Sequence, residues 1–279
     1  MRTIAHISDL HFGRHDERVA ERLLASLWET RPDIVVITGD LTQRARHRQF
    51  AAARAFVEKL PQPVLVVPGN HDVPLYDLVQ RFIGRLSRYR RYICKELQPY
   101  FADDEIAVLG LSTARSAAFS NGRISHRQVA AIRSVFEHVP PGRLRMLAIH
   151  HPLKVPLAVG NLPVVGRAGI ALKAIAETGV HLVLSGHYHR AFSGRLLDAN
   201  LVDQHSVLMV QAGTGISTRL RGEPNSFNLL RVNGTAVSST VMVLRNGEFI
   251  AGETADFAAP LIVQSGSQLE RVKGIEPSS

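Results

Sequence analysis

Runs of consecutive apolar residues, rich in β-branched side chains, recur at positions 3–7, 34–38, 64–67, 106–111, 145–149 and 181–184. Runs of that length without polar alternation predict strands buried on both faces. Between the first two, residues 17–28 place Val19, Leu23, Leu24, Leu27 and Trp28 at helical spacing, and residues 46–60 repeat the pattern with Phe50, Ala53, Phe56, Val57 and Leu60. Strand, helix, strand is the order of right-handed crossovers in an α/β sheet. Residues 76–97 predict one long helix, interrupted locally at Gly84 and ended by Pro99, with Phe82, Leu86, Tyr89, Ile93 and Leu97 as its apolar stripe. Arg81, Arg85, Arg88 and Lys95 fall near the opposite face and read first as solvated cations, and second as phosphate contacts.

Beyond Arg190 the pattern becomes strand-like at 206–211, 227–232 and 236–244, with Asn233-Gly234 and Asn246-Gly247 as hairpin turns. Residues 1–263 are therefore expected to form one domain with a β-rich second half, and 264–279, polar and unpatterned, a loose C-terminal tail. Of the 279 residues, 45% are hydrophobic and 20% charged, which excludes disorder. No run approaches the ~18 apolar residues of a membrane-spanning helix. The first strand begins at Thr3 and leaves no space for a secretory leader, so a cytoplasmic address is expected. A single cysteine, Cys94, can neither close an intramolecular disulfide nor build a thiolate zinc site. Lys and Arg outnumber Asp and Glu by 33 to 24, and the formal charge of +9 favours encounter with phosphate-bearing partners.

Histidine sharpens that bias into chemistry. Of 13 in the chain, six stand in four short motifs at the ends of apolar runs. Strand after strand ends in metal-ligating groups: Asp9-Leu10-His11, Gly39-Asp40, Gly69-Asn70-His71-Asp72, His150-His151-Pro152 and Gly186-His187-Tyr188-His189. Ligands of open α/β sheets bind beyond the carboxyl ends of the strands, so these groups are expected to converge. Carboxylate, imidazole and amide oxygen without thiolate suit Mn, Fe, Zn or Co. The donors exceed what one ion uses, and two ions bridged by one carboxylate, with Asp40 as the candidate, are the economical reading. Two ions about 3.5–4 Å apart clamp phosphoryl oxygens, hold a water as hydroxide and stabilise in-line displacement. Phosphoester hydrolysis is the reaction such a set predicts.

In these five blocks the chain resembles the calcineurin-like metallophosphoesterases, especially the bacterial class III cyclic nucleotide phosphodiesterases, over about residues 2–211. The resemblance implies an α/β fold, a sandwich of two β-sheets flanked by helices, and two divalent or mixed-valence transition metal ions, with Mn and Fe ahead of Zn or Co. It implies a first ion held by Asp9, His11, Asp40 and His189, and a second held by Asp40, Asn70, His150 and His187. His71 is then left to contact the phosphate or protonate the leaving oxygen. Many relatives carry an acidic residue three places after the bridging Asp to orient that histidine, whereas this chain has Gln43, which can hydrogen-bond an imidazole but brings no charge. Asp72 is the alternative carboxylate for that role. His151 reads as a contact behind a ligand or on the substrate.

His6, His15, His47, His126, His138, His181 and His205 stand outside any motif and read as surface or satisfied buried imidazoles. The 214–221 loop, with Arg219 and Arg221, either reaches the mouth of the site or is a plain loop. Residues 153–169 are too apolar for an ordinary exposed loop and read as a lid or as the contact of a homodimer. The expected substrate is a small phosphodiester, led by 3′,5′-cyclic AMP or another cyclic nucleotide. Histidine in the third place of Gly69-Asn70-His71-Asp72 leans away from the related lipid A pathway pyrophosphatases. Glycerophosphodiesters, phospholipid-derived diesters and nucleic acid form the alternative, and a non-catalytic metal-binding scaffold is the remaining rival.

Overall fold

The computed structural model describes residues 1–75, 77–115, 121–155, 162–196, 207–234 and 236–258. The 264–279 tail, His205 and the centre of the 153–169 segment lie outside the described residues. The apolar runs form the parallel cores of two sheets. In the first, β1 (Arg2–Ile7), β2 (Ile34–Thr38) and β3 (Val64–Val67) run parallel. On the other edge of β1, antiparallel β10 (Ser226–Asn233), β11 (Ala236–Arg245) and β12 (Glu248–Ala258) complete the order β12-β11-β10-β1-β2-β3. The second sheet has the order β4-β5-β6-β7-β9-β8, built on parallel β5 (Ile106–Leu111), β6 (Leu144–Ile149), β7 (Leu182–Ser185) and β9 (Val207–Gln211). Short antiparallel strands β4 (Tyr100–Ala102) and β8 (Phe192–Leu196) close its edges.

Period-two alternation assigns each strand residue to a layer. Ile4, Ile34, Val36 and Val67 of the first sheet pack against Val108, Met146, Ala148, Leu184 and Val210 of the second. Their neighbours Ala5, Ile7, Val35 and Ile37 turn outward onto α1 (Glu17–Thr30) and α2 (His47–Val57), through Leu23, Leu27, Phe50 and Phe56. On the far side Leu109, Leu147, Ile149 and Val183 meet α5 (His126–Glu137) and α6 (Ala168–Glu177), through Ile132, Phe136 and Ile175. The result is the expected sandwich, helix layer on sheet on sheet on helix layer. A one-residue slip of β1 would exchange Ile4 and Ala5 between layers, so burial on both faces fixes the register.

The long helix expected over 76–97 is corrected to two short ones, α3 (Leu78–Phe82) and α4 (Ser87–Tyr92). The chain turns at Gly84, whose carbonyl accepts the Ser87 N–H at 2.8 Å. From Leu86 onward the stripe meets the core, with Leu86 and Tyr89 buried and Ile93 and Leu97 packed against it, whereas Phe82, before the turn, is 63% exposed. Two of the presumed surface cations are braces instead. Arg81 Nη1 donates to the Pro74 carbonyl at 3.0 Å, and Arg88 donates to the Ala45 carbonyl at 3.0 Å and to Asp77 at 2.8 Å. Trp28 also leaves its expected stripe; it is exposed, and its indole N–H ties α1 to the Lys59 carbonyl at 2.9 Å. At the ends of the 153–169 segment, Leu153 and Val165 are buried in the core and 168 onward is already α6, so those ends are packing rather than lid.

His6 lies on β1, fully buried, with Nε2 2.9 Å from Thr38 Oγ1 and Nδ1 3.3 Å from Asn228 Nδ2. Burial drives its imidazole down to about 3, against a pull in the other direction from Asp9. Unfolding restores the ordinary value near 6.5, so below that pH the unfolded chain binds a proton that the folded chain refuses. Stability fully present above pH 6.5 is therefore lost as pH falls toward 3. Between pH 7 and pH 5, metal-free parent protein is expected to lose about 2 kcal/mol more than His6→Asn. Urea unfolding of both proteins at the two pH values measures this, and parallel losses would contradict a neutral buried His6.

Candidate metal centre

The carboxyl ends of β1, β2, β3, β6 and β7 all open on one edge of the sandwich. Backbone bonds knit them together: Asp9 N–H to the Gly39 carbonyl at 3.1 Å, His11 N–H to the Asp40 carbonyl at 2.9 Å and Gly186 N–H to the His150 carbonyl at 3.0 Å. Immediately after the strands the chain turns through left-handed conformations, at Asp9 (φ 54°), His11 (50°), Asp40 (52°), His187 (81°) and His189 (60°). Such angles are uncommon outside glycine and cost free energy. Here they swing carboxylates and imidazoles inward instead of letting them follow the strand. Two glycines make room. A Cβ on Gly69 would lie 2.1 Å from Asp40 Oδ1, and one on Gly186 would lie 1.9 Å from Ser8 Oγ and 2.6 Å from Asp9 Oδ2.

The inward groups meet. His11 Nε2 lies 3.1 Å from His189 Nε2, 3.7 Å from Asp9 Oδ1 and 3.8 Å from Asp40 Oδ2. His150 Nε2 lies 3.4 Å from Asp40 Oδ2, 3.1 Å from Asn70 Oδ1 and 3.3 Å from His187 Nδ1. Asp40 thus stands between two clusters, one of Asp9, His11 and His189, the other of Asn70, His150 and His187. Among the described residues, Asp9, His11 and His189, and likewise Asp9, Asp40 and His150, form groups whose ligand atoms all lie within 4.8 Å of one another.

Backbone carbonyls set the tautomers. His150 Nδ1 reaches the Thr38 carbonyl at 2.6 Å, His189 Nδ1 the Arg219 carbonyl at 3.0 Å and His71 Nδ1 the Gln43 carbonyl at 2.9 Å. A carbonyl only accepts, so each Nδ1 carries a hydrogen and each Nε2 is left as the position for which a proton and a cation compete. That is the outer hydrogen bond a metal-binding imidazole ordinarily makes. Asp9 Oδ2 accepts from Ser8 Oγ at 2.7 Å and from the His187 N–H at 2.9 Å, whereas the buried Oδ1 accepts no hydrogen bond. Imidazole nitrogens facing one another beside a carboxylate oxygen that accepts no hydrogen bond fit cations between them, and the donor set suits Mn, Fe, Zn or Co.

Electrostatics agree with geometry. Burial raises the Asp9 and Asp40 carboxyls, but the surrounding imidazoles, His189 and His11 for Asp9 and His150, His71 and His11 for Asp40, outweigh it and hold both below the usual carboxylate range. Burial lowers His150, yet Asp40 raises it to about 9. His187, depressed by burial and by His150, falls to about 4. Protons and cations compete for these positions.

His71 stands at the margin, its ring centroid 4.8 Å from that of His11 and edge-on to it. The Gln43 carboxamide nitrogen lies 3.3 Å from Nδ1, but the main-chain carbonyl of Gln43 is the acceptor that orients the ring. Asp72 does another job: its carboxylate takes the N–H groups of Leu41 at 3.2 Å, Thr42 at 2.9 Å and Gly69 at 3.0 Å, clipping two loops together. Burial and the Asp40 carboxylate push its carboxyl up to about 7, against those N–H groups. His151 is buried beside the cluster, with Nδ1 2.7 Å from Thr113 Oγ1 and its ring 4.6 Å from that of His187. Arg219, left open between loop and site, is at the site: Nη1 lies 3.4 Å from both His71 Nε2 and Gln43 Oε1.

Comparison with known proteins places the chain in a family. The model of the calcineurin-like phosphoesterases matches residues 2–191, and the chain belongs to that family of hydrolases. It is 28% identical to the glycerophosphodiester phosphodiesterase GpdQ of Enterobacter lignolyticus over 209 residues, 67% of this chain and 70% of that protein. It is 26% identical to a cAMP/cGMP dual specificity phosphodiesterase of Mycobacterium tuberculosis over 275 residues, 88% of this chain and 81% of the relative. Among solved structures, a purple acid phosphatase from yellow lupin superposes with a TM-score of 0.69 at 12% identity, covering 91% of this chain and 53% of that one. The likeness in that case is one of fold, and the chain spans about half of the lupin protein.

Gly69→Ala, which drives a Cβ onto Asp40, is expected to cost about 1–3 kcal/mol in urea unfolding. Gly169→Ala, in α6 with nothing within 4 Å of the added carbon, is expected to be neutral or to gain up to about 1 kcal/mol. Equal effects at the two positions would count against the close approach.

Proposed function

We propose that this chain is a dinuclear, metal-dependent hydrolase of small phosphodiesters. One ion is held by Asp9, His11, Asp40 and His189, and the other by Asp40, Asn70, His150 and His187. The observation that supports this most directly is the meeting of imidazole nitrogens with one another, with the Asn70 amide oxygen and with the Asp40 carboxylate at 3.1–3.8 Å. Two bound ions supply Lewis acidity toward phosphoryl oxygens and lower the pKa of water to near neutrality.

The chain's own residues do the rest. His71, its Nδ1–H fixed on the Gln43 carbonyl, turns Nε2 toward the cleft; as the imidazolium, with a second proton on Nε2, it passes that proton to the leaving oxygen as the phosphorus–oxygen bond breaks. Water adds its oxygen to phosphorus and releases a proton to the surroundings. Arg219, beside that Nε2, offers guanidinium N–H groups to the phosphoryl oxygens. Asp72 keeps the loops carrying Asp40 and His71 in register.

Cyclic nucleotides, led by 3′,5′-cyclic AMP, are the first substrates in this reading and glycerophosphodiesters the second, since relatives of both descriptions align with this chain. Nucleic acid is the lesser alternative. A panel of cyclic AMP, glycerophosphoethanolamine and a single-stranded oligonucleotide, run with metal-reconstituted protein between about 50 and 200 mM salt, separates them: a polymer neutralising many phosphates loses affinity steeply over that range, a small diester only modestly. No helix among the described residues is long and apolar enough to cross a membrane.

Elemental analysis of the parent is expected to find close to two transition-metal ions per chain, and of Asp40→Ala close to none; a variant keeping both would remove Asp40 as the bridge. His71→Ala should keep its metals and lose roughly 10²-fold or more in rate on alkoxide leaving groups, and less on nitrophenolate, which departs without a proton. Equal losses across a leaving-group series would reduce His71 to a phosphate contact.

A further inference from the structure

A cavity of about 550 Å³ opens beside His71, and Arg14, Arg44, Arg46, Arg48 and Arg219 line it. Among the described residues no carboxylate lines this cavity, and none pairs with Arg14, Arg46, Arg48 or Arg219. The loop that presents the arginines is built into the fold. Buried Gln49 accepts the N–H groups of Arg44 at 2.9 Å and Arg46 at 3.3 Å on one side-chain oxygen. Ala45, at φ 50°, donates to Thr42 Oγ1 at 3.0 Å, and Arg88 grips its carbonyl at 3.0 Å. Arg219 is pinned at its own carbonyl by His189. Guanidinium groups gathered around one cavity repel each other unless an anion joins them, and their planar forks match phosphoryl oxygens.

We propose that this cavity is a subsite for a second phosphoryl group, carried by the substrate on the leaving-group side of the scissile diester. The proposal rests on the reading of His71 as proton donor to the leaving oxygen, because a group departing toward Nε2 moves into the cavity that His71 lines. Diesters with a single phosphate, cyclic AMP and glycerophosphodiesters among them, are accepted but bring no anion to Arg14, Arg46, Arg48 and Arg219. A diester that also bears a terminal phosphate monoester spans both places. The volume falls within the ~300–1,000 Å³ of small-ligand pockets, enough for a nucleoside-sized group with its phosphate.

Calorimetry of the metal-loaded protein with thymidine 3′,5′-bisphosphate and with each thymidine monophosphate reads the subsite without turnover. The bisphosphate is expected to bind at least about tenfold more tightly, the effect of one or two hydrogen bonds between charged groups. In the double variant Arg46→Gln with Arg48→Gln that advantage should shrink to about twofold or less; both side chains are exposed, so the substitutions cost little stability. In turnover, thymidylyl-thymidine with a terminal phosphate should exceed the unphosphorylated dinucleotide about tenfold or more in kcat/KM, through KM. Equal affinities in the parent, or an advantage that survives the double variant, would overturn the subsite. An advantage that grows with each added nucleotide and collapses with salt would overturn it too, assigning the arginines to a nucleic acid track. A bisphosphate advantage that holds while bis(p-nitrophenyl) phosphate, cyclic AMP and both dinucleotides stay intact would keep the binding subsite and sink the hydrolytic reading instead.

Discussion

Imidazole nitrogens and carboxylates held against one another in a largely buried cleft are the constraint on which this structure turns. His11 and His189 face each other at 3.1 Å and His150 and His187 at 3.3 Å, contacts that favour whatever positive charge comes between them. No single element could hold such a set. Asp9, Asp40 and Asn70 come from the first sheet, His150, His187 and His189 from the second, so the separation of the two halves is the separation of the sheets. The layer containing Ile4, Val36, Met146 and Leu184 therefore sets the spacing of the centre as well as contributing burial. Direct ties reinforce it, from His150 to the Thr38 carbonyl and from the His187 N–H to Asp9. Left-handed backbone at five of the inward-facing residues is stable only because that packing surrounds it.

Much of this is legible in the chain because burial on both faces of a strand writes itself as an unbroken apolar run. The parallel strands fall within a residue or two of the runs that predict them, and the chemistry-bearing residues stand where those runs stop. Helix α5 is legible in the same way: Ser125 and Gln128 form a capping box, followed by Val129, Ile132 and Phe136 on one face. The break between α3 and α4 was harder. Periodicity continued through Gly84, and only tertiary packing decides that Tyr89 enters the core while Phe82 and Ile83 do not. Arg219 was harder still, since nothing local in Ser217-Thr218-Arg219 says that this loop folds back to meet the Nδ1 of His189.

The chain's positive charge also means different things in different places. Arg81, Arg88 and Arg145 spend their donors on main-chain carbonyls, the last on Thr178 at 2.7 Å and Val139 at 2.9 Å. Arg54 and Arg133 pair with Glu58 and Glu177 on the surface, where such pairs contribute little to stability. The group beside His71 instead faces the candidate metal centre, with Arg219 Nη1 3.4 Å from His71 Nε2. A net charge of +9 is thus a weak guide to partners until the fate of each guanidinium is known.

Gln43 gains significance in that light. A carboxylate at this position would stand where the carboxamide oxygen now lies, 3.4 Å from Arg219 Nη1, and would neutralise the guanidinium nearest His71. With glutamine there, the main-chain carbonyl takes over the orientation of the His71 ring, at 2.9 Å, and needs no charge to do so. The positive charge of Arg219 then stays available to an incoming phosphoryl oxygen. What looks like a lost acidic partner in the sequence leaves the structure with an imidazole oriented by a main-chain carbonyl beside a guanidinium that, among the described residues, no carboxylate pairs with directly.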